Sequence, residues 1–138
     1  MAGKMSRNKG QRGEREVIKL LQPIVDRSFQ RFKLEPPCLQ RNLLQAHTGG
    51  HDVFGLDWLA LEVKYQETVN LSPWWQQTLR QSGGVKIPVL IWRKSRMPWR
   101  VRMYGHVDEV KTVVDIDLPP FLEWMETRLC TILHAGES

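Results

Sequence analysis

The chain has 138 residues, of which 41% are hydrophobic and 25% charged, and this fits one globular domain with one core. No apolar run approaches the roughly 20 residues of a membrane span, and no secretory signal follows the basic N-terminus, so we expect a cytoplasmic protein without a membrane partner. The net charge is +5, and the positive charge is concentrated before residue 108, which favours nucleic acid as the partner. Cys38 and Cys130 are too few for a disulfide framework and are expected to be buried free thiols.

The first half of the chain predicts one helix and three strands. Residues 1–12 are polar and basic and are expected to form a flexible arm. From Gly13 the apolar residues Val17, Ile18, Leu21, Ile24 and Val25 recur with helical spacing, and Pro23 is a possible kink. A first strand is expected within 38–46, then a loop at 47–51, then a hairpin of strands 52–55 and 59–65.

The second half predicts a helix, two strands and a closing helix. Residues 70–84 have the signals of a helix, with Ser72 as the cap, Pro73 in the first turn and Gly83 at the end. Strands are expected at 86–94 and 99–107, and an amphipathic helix at 119–133. The order α-β-β-β-α-β-β-α predicts a mixed sheet with helices packed on it, in one domain made of the arm, a core at 13–107 and an acidic helical region at 108–138.

Charged residues interrupt the predicted strand 59–65. Alternation places Glu62 and Lys64 on one face of this strand and Leu61 and Val63 on the other. Asp52, on the preceding strand, comes within about 5–8 Å of Glu62 in an antiparallel register. Two carboxylates so close repel each other unless a cation lies between them, and Mg²⁺ prefers such acids together with a backbone carbonyl, for which Val63 is a candidate.

Glu14 adds a third acid, since it continues the apolar stripe of the first helix towards the sheet. Other interpretations remain open for each feature. Glu62 and Lys64 can form an ion pair on a half-exposed strand, and Glu14 can be a first-turn acid favoured by the helix dipole. His47 and His51 are alternative phosphate contacts or plain loop residues, and a zinc site is improbable.

Four segments together resemble the PD-(D/E)XK nuclease superfamily, and within it the archaeal-type and phage Holliday junction resolvases. They are KGQRGEREVIKLL (9–21), GGHDV (49–53), LALEVK (59–64) and the following helix with its glutamines. His51 stands where the superfamily usually has Pro. The resemblance implies a restriction-endonuclease-like α/β fold with an αβββαβ core and an added C-terminal strand and helix.

The resemblance also implies the chemistry. The chain would be an Mg²⁺-dependent endonuclease for branched DNA, with Mn²⁺ as a substitute, in a bacterial, archaeal or phage-infected cell. Asp52, Glu62, Glu14 and the Val63 carbonyl would bind metal, Lys64 would act on the attacking water, and Gln77, less favourably Gln76, would support the site. A symmetric junction needs two active sites, so a homodimer is expected. A duplex-cutting, nicking or flap nuclease and a non-catalytic nucleic-acid-binding module remain alternatives.

Two basic segments are candidate DNA contacts. A mobile arm and the turn at 94–98 carry the cations, with Trp92 and Trp99 beside the turn. The competing interpretations are a solvated tail and a charged hairpin tip. The candidate DNA-binding residues are Arg7, Lys9, Arg12, Arg15, Arg93, Lys94, Arg96 and Arg100, with Arg102 nearby.

Overall fold

The structure is a computed structural model that describes the backbone of residues 2–42 and 52–136, with side chains from residue 9 onward in those ranges. Its elements, in chain order, are the helix α1 (Ala2–Arg31), the strands β1 (Gln40–Arg41), β2 (Val53–Phe54) and β3 (Leu59–Gln66), the helix α2 (Leu71–Ser82), the strands β4 (Ile87–Lys94), β5 (Arg100–Val107) and β6 (Val110–Asp117), and the helix α3 (Leu118–Gly136).

A four-stranded mixed sheet in the order β3-β4-β5-β6 forms the centre of the molecule. β3 and β4 are parallel because α2 carries the chain back between them, whereas β4–β5 and β5–β6 are antiparallel. β1 and β2 form a separate two-stranded pair. This arrangement confirms the predicted α/β fold.

Helices cover both faces of the sheet, and each face has its own core. α1 and α3 bury Leu21 and Phe121 against one face, together with Leu61 and Ile91 from the strands. On the other face α2 places Trp74 and Trp75 over Leu90. β3 is therefore buried on both sides, as is usual for a parallel strand between helical layers.

α1 begins at Ala2, eleven residues before the start expected at Gly13, and continues through Pro23. The cause of the early start is that residues 9–13 lie against the sheet and not in a separate arm. Lys9 contacts the ring of Tyr65 on β3, and a Cβ at Gly13 would lie only 2.8 Å from the Tyr65 Cβ. Packing against β3 thus supports a helix that its polar composition did not predict.

The start of α2 also differs from expectation. Its N-cap is Asn70, whose side chain makes no capping hydrogen bond, and Ser72 lies inside the helix. Its end follows the prediction, since Gly83 takes a left-handed conformation with φ +61° and donates its N–H to the Arg80 carbonyl at 3.3 Å.

The predicted hairpin of 52–55 with 59–65 is wrong, because β2 pairs with β1 through Gln40↔Phe54 and Arg41↔Val53. Gly55, with φ +124°, turns the chain away before a longer ladder can form. One backbone bond, from the Asp52 N–H to the Leu61 carbonyl at 2.8 Å, still ties this segment to β3. Residues 43–51, including His47 and His51, lie outside the described part of the chain.

The sequence pattern predicted no strand at residues 108–118, where the structure has β6. Asp108 and Glu109 form a two-residue turn with positive φ at both positions, 48° and 68°. Such turns usually contain Asn-Gly or Asp-Gly, so the Asp-Glu pair gave no hairpin signal. The expected burial of both cysteines is wrong as well, since Cys38 is exposed and Cys130 half-buried. Within the described ranges no helix is both long and apolar enough to cross a membrane.

Candidate active site

A pocket of about 320 Å³ lies beside the middle of β3, at the junction of α1, α2 and the segment before β2. Five of the side chains predicted for the site line it: Glu14, Asp52, Glu62, Lys64 and Gln77. Val63, the proposed carbonyl ligand, lines the pocket too. The structure therefore brings together side chains from four separate parts of the sequence.

Asp52 is fixed to β3 by both its backbone and its side chain. Its N–H donates to the Leu61 carbonyl at 2.8 Å, and its Oδ2 accepts the Val63 N–H at 2.6 Å. Its own carbonyl accepts the Asn42 N–H at 2.9 Å. A carboxylate that is only 3% exposed and held in this way has a defined position next to Glu62.

Glu62 is the most strongly perturbed acid of the pocket, with only 2% of its surface exposed. Burial, and next the negative charge of Asp52, raise the pKa of Glu62 to about 9, against the opposing effect of Lys64. The Lys64 Nζ lies 3.9 Å from Oε1, and Gln77 donates to the same oxygen at 3.3 Å. The other oxygen, Oε2, is buried and accepts no hydrogen bond from any described residue.

Glu14 approaches the pocket from α1. Its Oε2 accepts a hydrogen bond from Arg41 Nε on β1 at 2.8 Å. Burial raises the pKa of Glu14, while the bond from Arg41 acts against this rise. Arg41 is a site neighbour that sequence reasoning missed, since a single arginine in a two-residue strand carries no pattern.

The pocket suits a divalent cation held by two acids. Among the described residues no three acids, histidines or cysteines converge closely enough to enclose an ion by themselves. Mg²⁺ does not need such a cage, because it binds through one or two carboxylates and keeps several of its waters. Asp52 and Glu62 supply those carboxylates, and the unpartnered Oε2 of Glu62 is a buried acceptor for which an ion would compensate.

Two glutamines on one face of α2 complete the pocket. Gln77 bonds Glu62, whereas Gln76 is exposed and points away from the pocket. Gln81, one turn further along the helix, lines the pocket as well, and its buried Oε1 has no hydrogen-bond partner among the described residues. Its spacing of four from Gln77 was the signal that the sequence analysis did not use.

We expect Gln77→Ala to lower the rate of nucleic-acid cleavage by about 10- to 100-fold, because losing one hydrogen bond to a charged group costs about 1.5–3 kcal/mol. Gln76→Ala removes the same side chain from the exposed position and is the matched control. Single-turnover rates of both variants check this. Equal cleavage rates for the two variants would exclude a role of Gln77 in the active site.

The predicted DNA contacts divide into two groups. Lys9, Arg12 and Arg93 surround the ring of Tyr65, which lines the pocket, at 5.4, 5.9 and 4.9 Å from its centroid. Each also contacts an acid: Lys9 bonds Glu67, while Arg12 and Arg93 lie 3.4 and 3.0 Å from Glu16. Arg15, Lys94 and Arg96 are exposed, and the side chain of Arg7 lies outside the described part.

Arg100 and Arg102 do not belong to this cluster. They are on β5 and pair with the acids of β6, Arg100 with Asp117 and Arg102 with Asp115 at 2.9 Å. Their positive charge is largely balanced by a strand that the sequence analysis did not predict.

Glu62 and Lys64 on β3, with Asp52 beside them from the segment before β2, form on this helix-flanked mixed sheet the arrangement of a nuclease of the PD-(D/E)XK class. The family model described as "Phage putative PDDEXK endonuclease" matches residues 5–118, and the chain belongs to this family. The predicted superfamily is thereby confirmed. No curated protein matches the sequence. A similar solved structure is Hjc, a Holliday junction resolvase from the archaeal hyperthermophile Archaeoglobus fulgidus, with 18% identity, a TM-score of 0.46 and coverage of 80% of this chain and 85% of that chain.

Proposed function

We propose that this endonuclease requires Mg²⁺, which Mn²⁺ can replace, and cuts branched DNA, with the four-way junction as its preferred substrate. The observation that carries the metal requirement is the pairing of buried Asp52 and Glu62 in one pocket with Lys64. The likeness of the motif segments to Holliday junction resolvases supports the choice of substrate. A four-way junction has two-fold symmetry, so we propose a cytoplasmic homodimer as the acting species.

In the proposed mechanism a divalent ion held in the pocket would supply Lewis acidity for the attacking water and positive charge for the scissile phosphate. Asp52 and Glu62 would hold this ion, the Val63 carbonyl would be a further ligand, and Glu14 would make an outer contact. Burial, and next the charge of Asp52, raise the pKa of Glu62, so Glu62 would have to lose its proton in order to hold a cation as a carboxylate. The hydrogen bonds to Asp52 from the Val63 N–H and to Glu62 from Gln77 fix the two carboxylates for this purpose.

Lys64 is proposed to act on the attacking water or on the scissile phosphate. Its Nζ lies next to Glu62, and its side chain is 19% exposed, so it reaches the pocket without being open to bulk solvent. An ammonium in that place donates a hydrogen bond to the attacking water or to the phosphate oxygen on which charge develops.

The DNA backbone is proposed to run over the cations that surround Tyr65, here called the Tyr65 cluster, and over the exposed cations beside them. The cluster comprises Lys9, Arg12 and Arg93, and the exposed cations are Arg15, Lys94 and Arg96. Arg7 is proposed to join them from the N-terminal turn. Arg100 is retained only as a weaker candidate, because it is paired with Asp117.

We expect the double variant Lys94→Ala/Arg96→Ala to weaken DNA binding and to reduce the salt slope of log K by about 2, one unit for each lost phosphate contact. Arg100→Ala is the comparison variant, and because Asp117 balances its charge it is expected to reduce the slope less than the double variant does. Fluorescence anisotropy between 50 and 200 mM salt measures both. A larger loss of slope for Arg100→Ala than for the double variant would exclude this path for the backbone.

The test of the substrate is a cleavage panel with a four-way junction, a flap, a linear duplex and a single strand at equal concentration. The proposal requires Mg²⁺-dependent paired cuts in opposing strands of the junction at the highest rate. Faster cutting of the linear duplex would exclude the preference for junctions and leave a nuclease of another specificity. No cutting of any substrate with either Mg²⁺ or Mn²⁺ would exclude the catalytic proposal.

A further inference from the structure

β6 is the last strand of the sheet, and its outer edge pairs with no strand in residues 2–42 and 52–136. The opposite edge strand, β3, is different because the backbone of Asp52 bonds to it. β6 is eight residues long, and three valines on or beside it, Val107, Val110 and Val113, are 59%, 64% and 39% exposed. A long edge with unpaired backbone groups and exposed valines is a template for pairing with another strand.

The turn before β6 determines which backbone groups point outward. In a two-residue hairpin the flanking residues, here Val107 and Val110, form a hydrogen-bonded pair, and hydrogen-bonded pairs alternate with non-bonded pairs along the ladder. Val110, Thr112, Val114 and Ile116 therefore direct their N–H and carbonyl groups to β5. Lys111, Val113 and Asp115 direct theirs away from the sheet.

We propose that β6 pairs antiparallel with β6 of a second copy of this chain, about a two-fold axis that passes beside Val113. In this register Val113 faces the partner's Val113, and Lys111 faces the partner's Asp115. These are the residues whose backbone groups point outward, so each facing pair exchanges two N–H···O bonds. On the other side of the strand Val110 faces the partner's Ile116, and Thr112 faces the partner's Val114, all β-branched contacts that favour a strand pair.

The charges of β6 support a second copy of this chain as the partner that pairs with its outer edge. Both Lys111 and Asp115 are exposed, and the register sets each against its opposite charge twice, once on either side of the axis. Asp115 keeps its two 2.9 Å bonds to Arg102, which hold the carboxylate in place. The only like charges that face each other are Glu109 and the partner's Asp117, at the ends of the ladder, where Arg100 binds Asp117.

This inference rests on the proposed function, which includes a homodimer, and it specifies the interface of that homodimer. A two-fold axis perpendicular to the sheet turns the α2 faces of both copies, and with them both Glu62 pockets, to the same side. From β3 to its copy there are seven strand spacings, which places the two pockets about 33 Å apart before sheet twist is considered. Two sites on one side of a continuous sheet can face one DNA molecule.

The test uses charge reversal on the full chain, with mass measured by sedimentation equilibrium. The wild type is expected to be a dimer. Lys111→Glu and Asp115→Lys each place like charges together twice, so each alone is expected to dissociate at least tenfold more readily. An equimolar mixture of the two variants restores opposite charges at both positions and is expected to form a dimer. Lys19→Glu, an equal charge change at an exposed position on α1, is the control and stays dimeric.

Three results would overturn the interface: a monomeric wild type at about 50 μM, a Lys111→Glu variant that dimerises as the wild type does, or a mixture that stays monomeric while both variants keep native circular dichroism. Because mass is measured without DNA or metal, the outcome is independent of the chemistry. A dimer through β6 in a protein that cuts no DNA would uphold the interface and refute the proposed function.

Discussion

Glu62→Gln is expected to abolish Mg²⁺-dependent cleavage and, in the metal-free protein, to raise the melting temperature at pH 8. The loss of activity follows if Glu62 is one of the two carboxylates proposed to bind the ion, and we then expect a fall of at least about 1,000-fold, equivalent to about 4 kcal/mol. The gain in stability follows from burial, because a buried carboxyl with a pKa of about 9 resists ionisation and glutamine has the shape of its neutral form.

The sign of the pH dependence follows from the same pKa. Glu62 has a pKa of about 9 in the folded protein and 4.5 in the unfolded chain, so the folded protein binds more protons between these values. The free energy of unfolding therefore falls as pH rises from about 4.5 to 9 in the absence of metal. Glu62→Gln removes this contribution and is expected to stabilise the fold by about 1–3 kcal/mol at pH 8 and by much less at pH 5.

Calorimetry in EDTA at pH 5 and pH 8, followed by addition of Mg²⁺, measures these effects. Mg²⁺ should raise the melting temperature of the wild type at pH 8 and leave Glu62→Gln unchanged, because a ligand stabilises only the state that binds it. Glu35→Gln, at an exposed acid outside the pocket, is the control. A variant with the same pH dependence as the wild type would show that Glu62 is not the perturbed acid.

Gly13→Ala is expected to destabilise the protein by about 1–3 kcal/mol and to reduce cleavage, although alanine is the better helix former. A Cβ at position 13 would lie 2.8 Å from the Tyr65 Cβ and 3.4 Å from the Trp99 ring. The Cβ of Tyr65 is attached to the backbone of β3 and cannot move aside, so α1 must shift. This shift moves Glu14, the next residue, relative to the pocket.

Gly10→Ala is the matched control in the same helix, since a Cβ there meets nothing within 4 Å. It is expected to leave stability equal or to raise it by up to about 1 kcal/mol. Urea denaturation of both variants, with single-turnover cleavage rates, separates the two effects. Equal free energies of unfolding for Gly13→Ala and Gly10→Ala would show that the fold does not depend on the close approach of α1 to β3.

Strand alternation and helix periodicity were enough to predict most of the fold and the grouping of the acids. The side-chain alternation of β3 predicted that Glu62 and Lys64 share one face, and the helix pattern after Gly13 predicted that Glu14 points towards the sheet. All three residues line the same pocket. The resemblance favoured Gln77 over Gln76, and in the structure Gln77 is the glutamine that donates to Glu62. These predictions depend on local geometry, which the sequence specifies directly.

The features that the sequence did not predict depend on tertiary contacts. The early part of α1 is helical because Lys9 and Gly13 lie against Tyr65, and the Arg41–Glu14 bond joins elements that are distant in sequence. β6 was missed because the Asp108-Glu109 turn lacks a glycine. That error also changed the interpretation of Arg100, whose charge is balanced by Asp117 of β6.

The most direct test of the central claim is the single-turnover cleavage of a four-way junction by wild type, Asp52→Asn and Lys64→Ala, with Mg²⁺ and with EDTA. The account predicts that the wild type cuts only with Mg²⁺ and that both variants, while folded and still binding the junction, cut at least about 100-fold more slowly. Cleavage by either variant at the rate of the wild type, or by the wild type in EDTA, would contradict it.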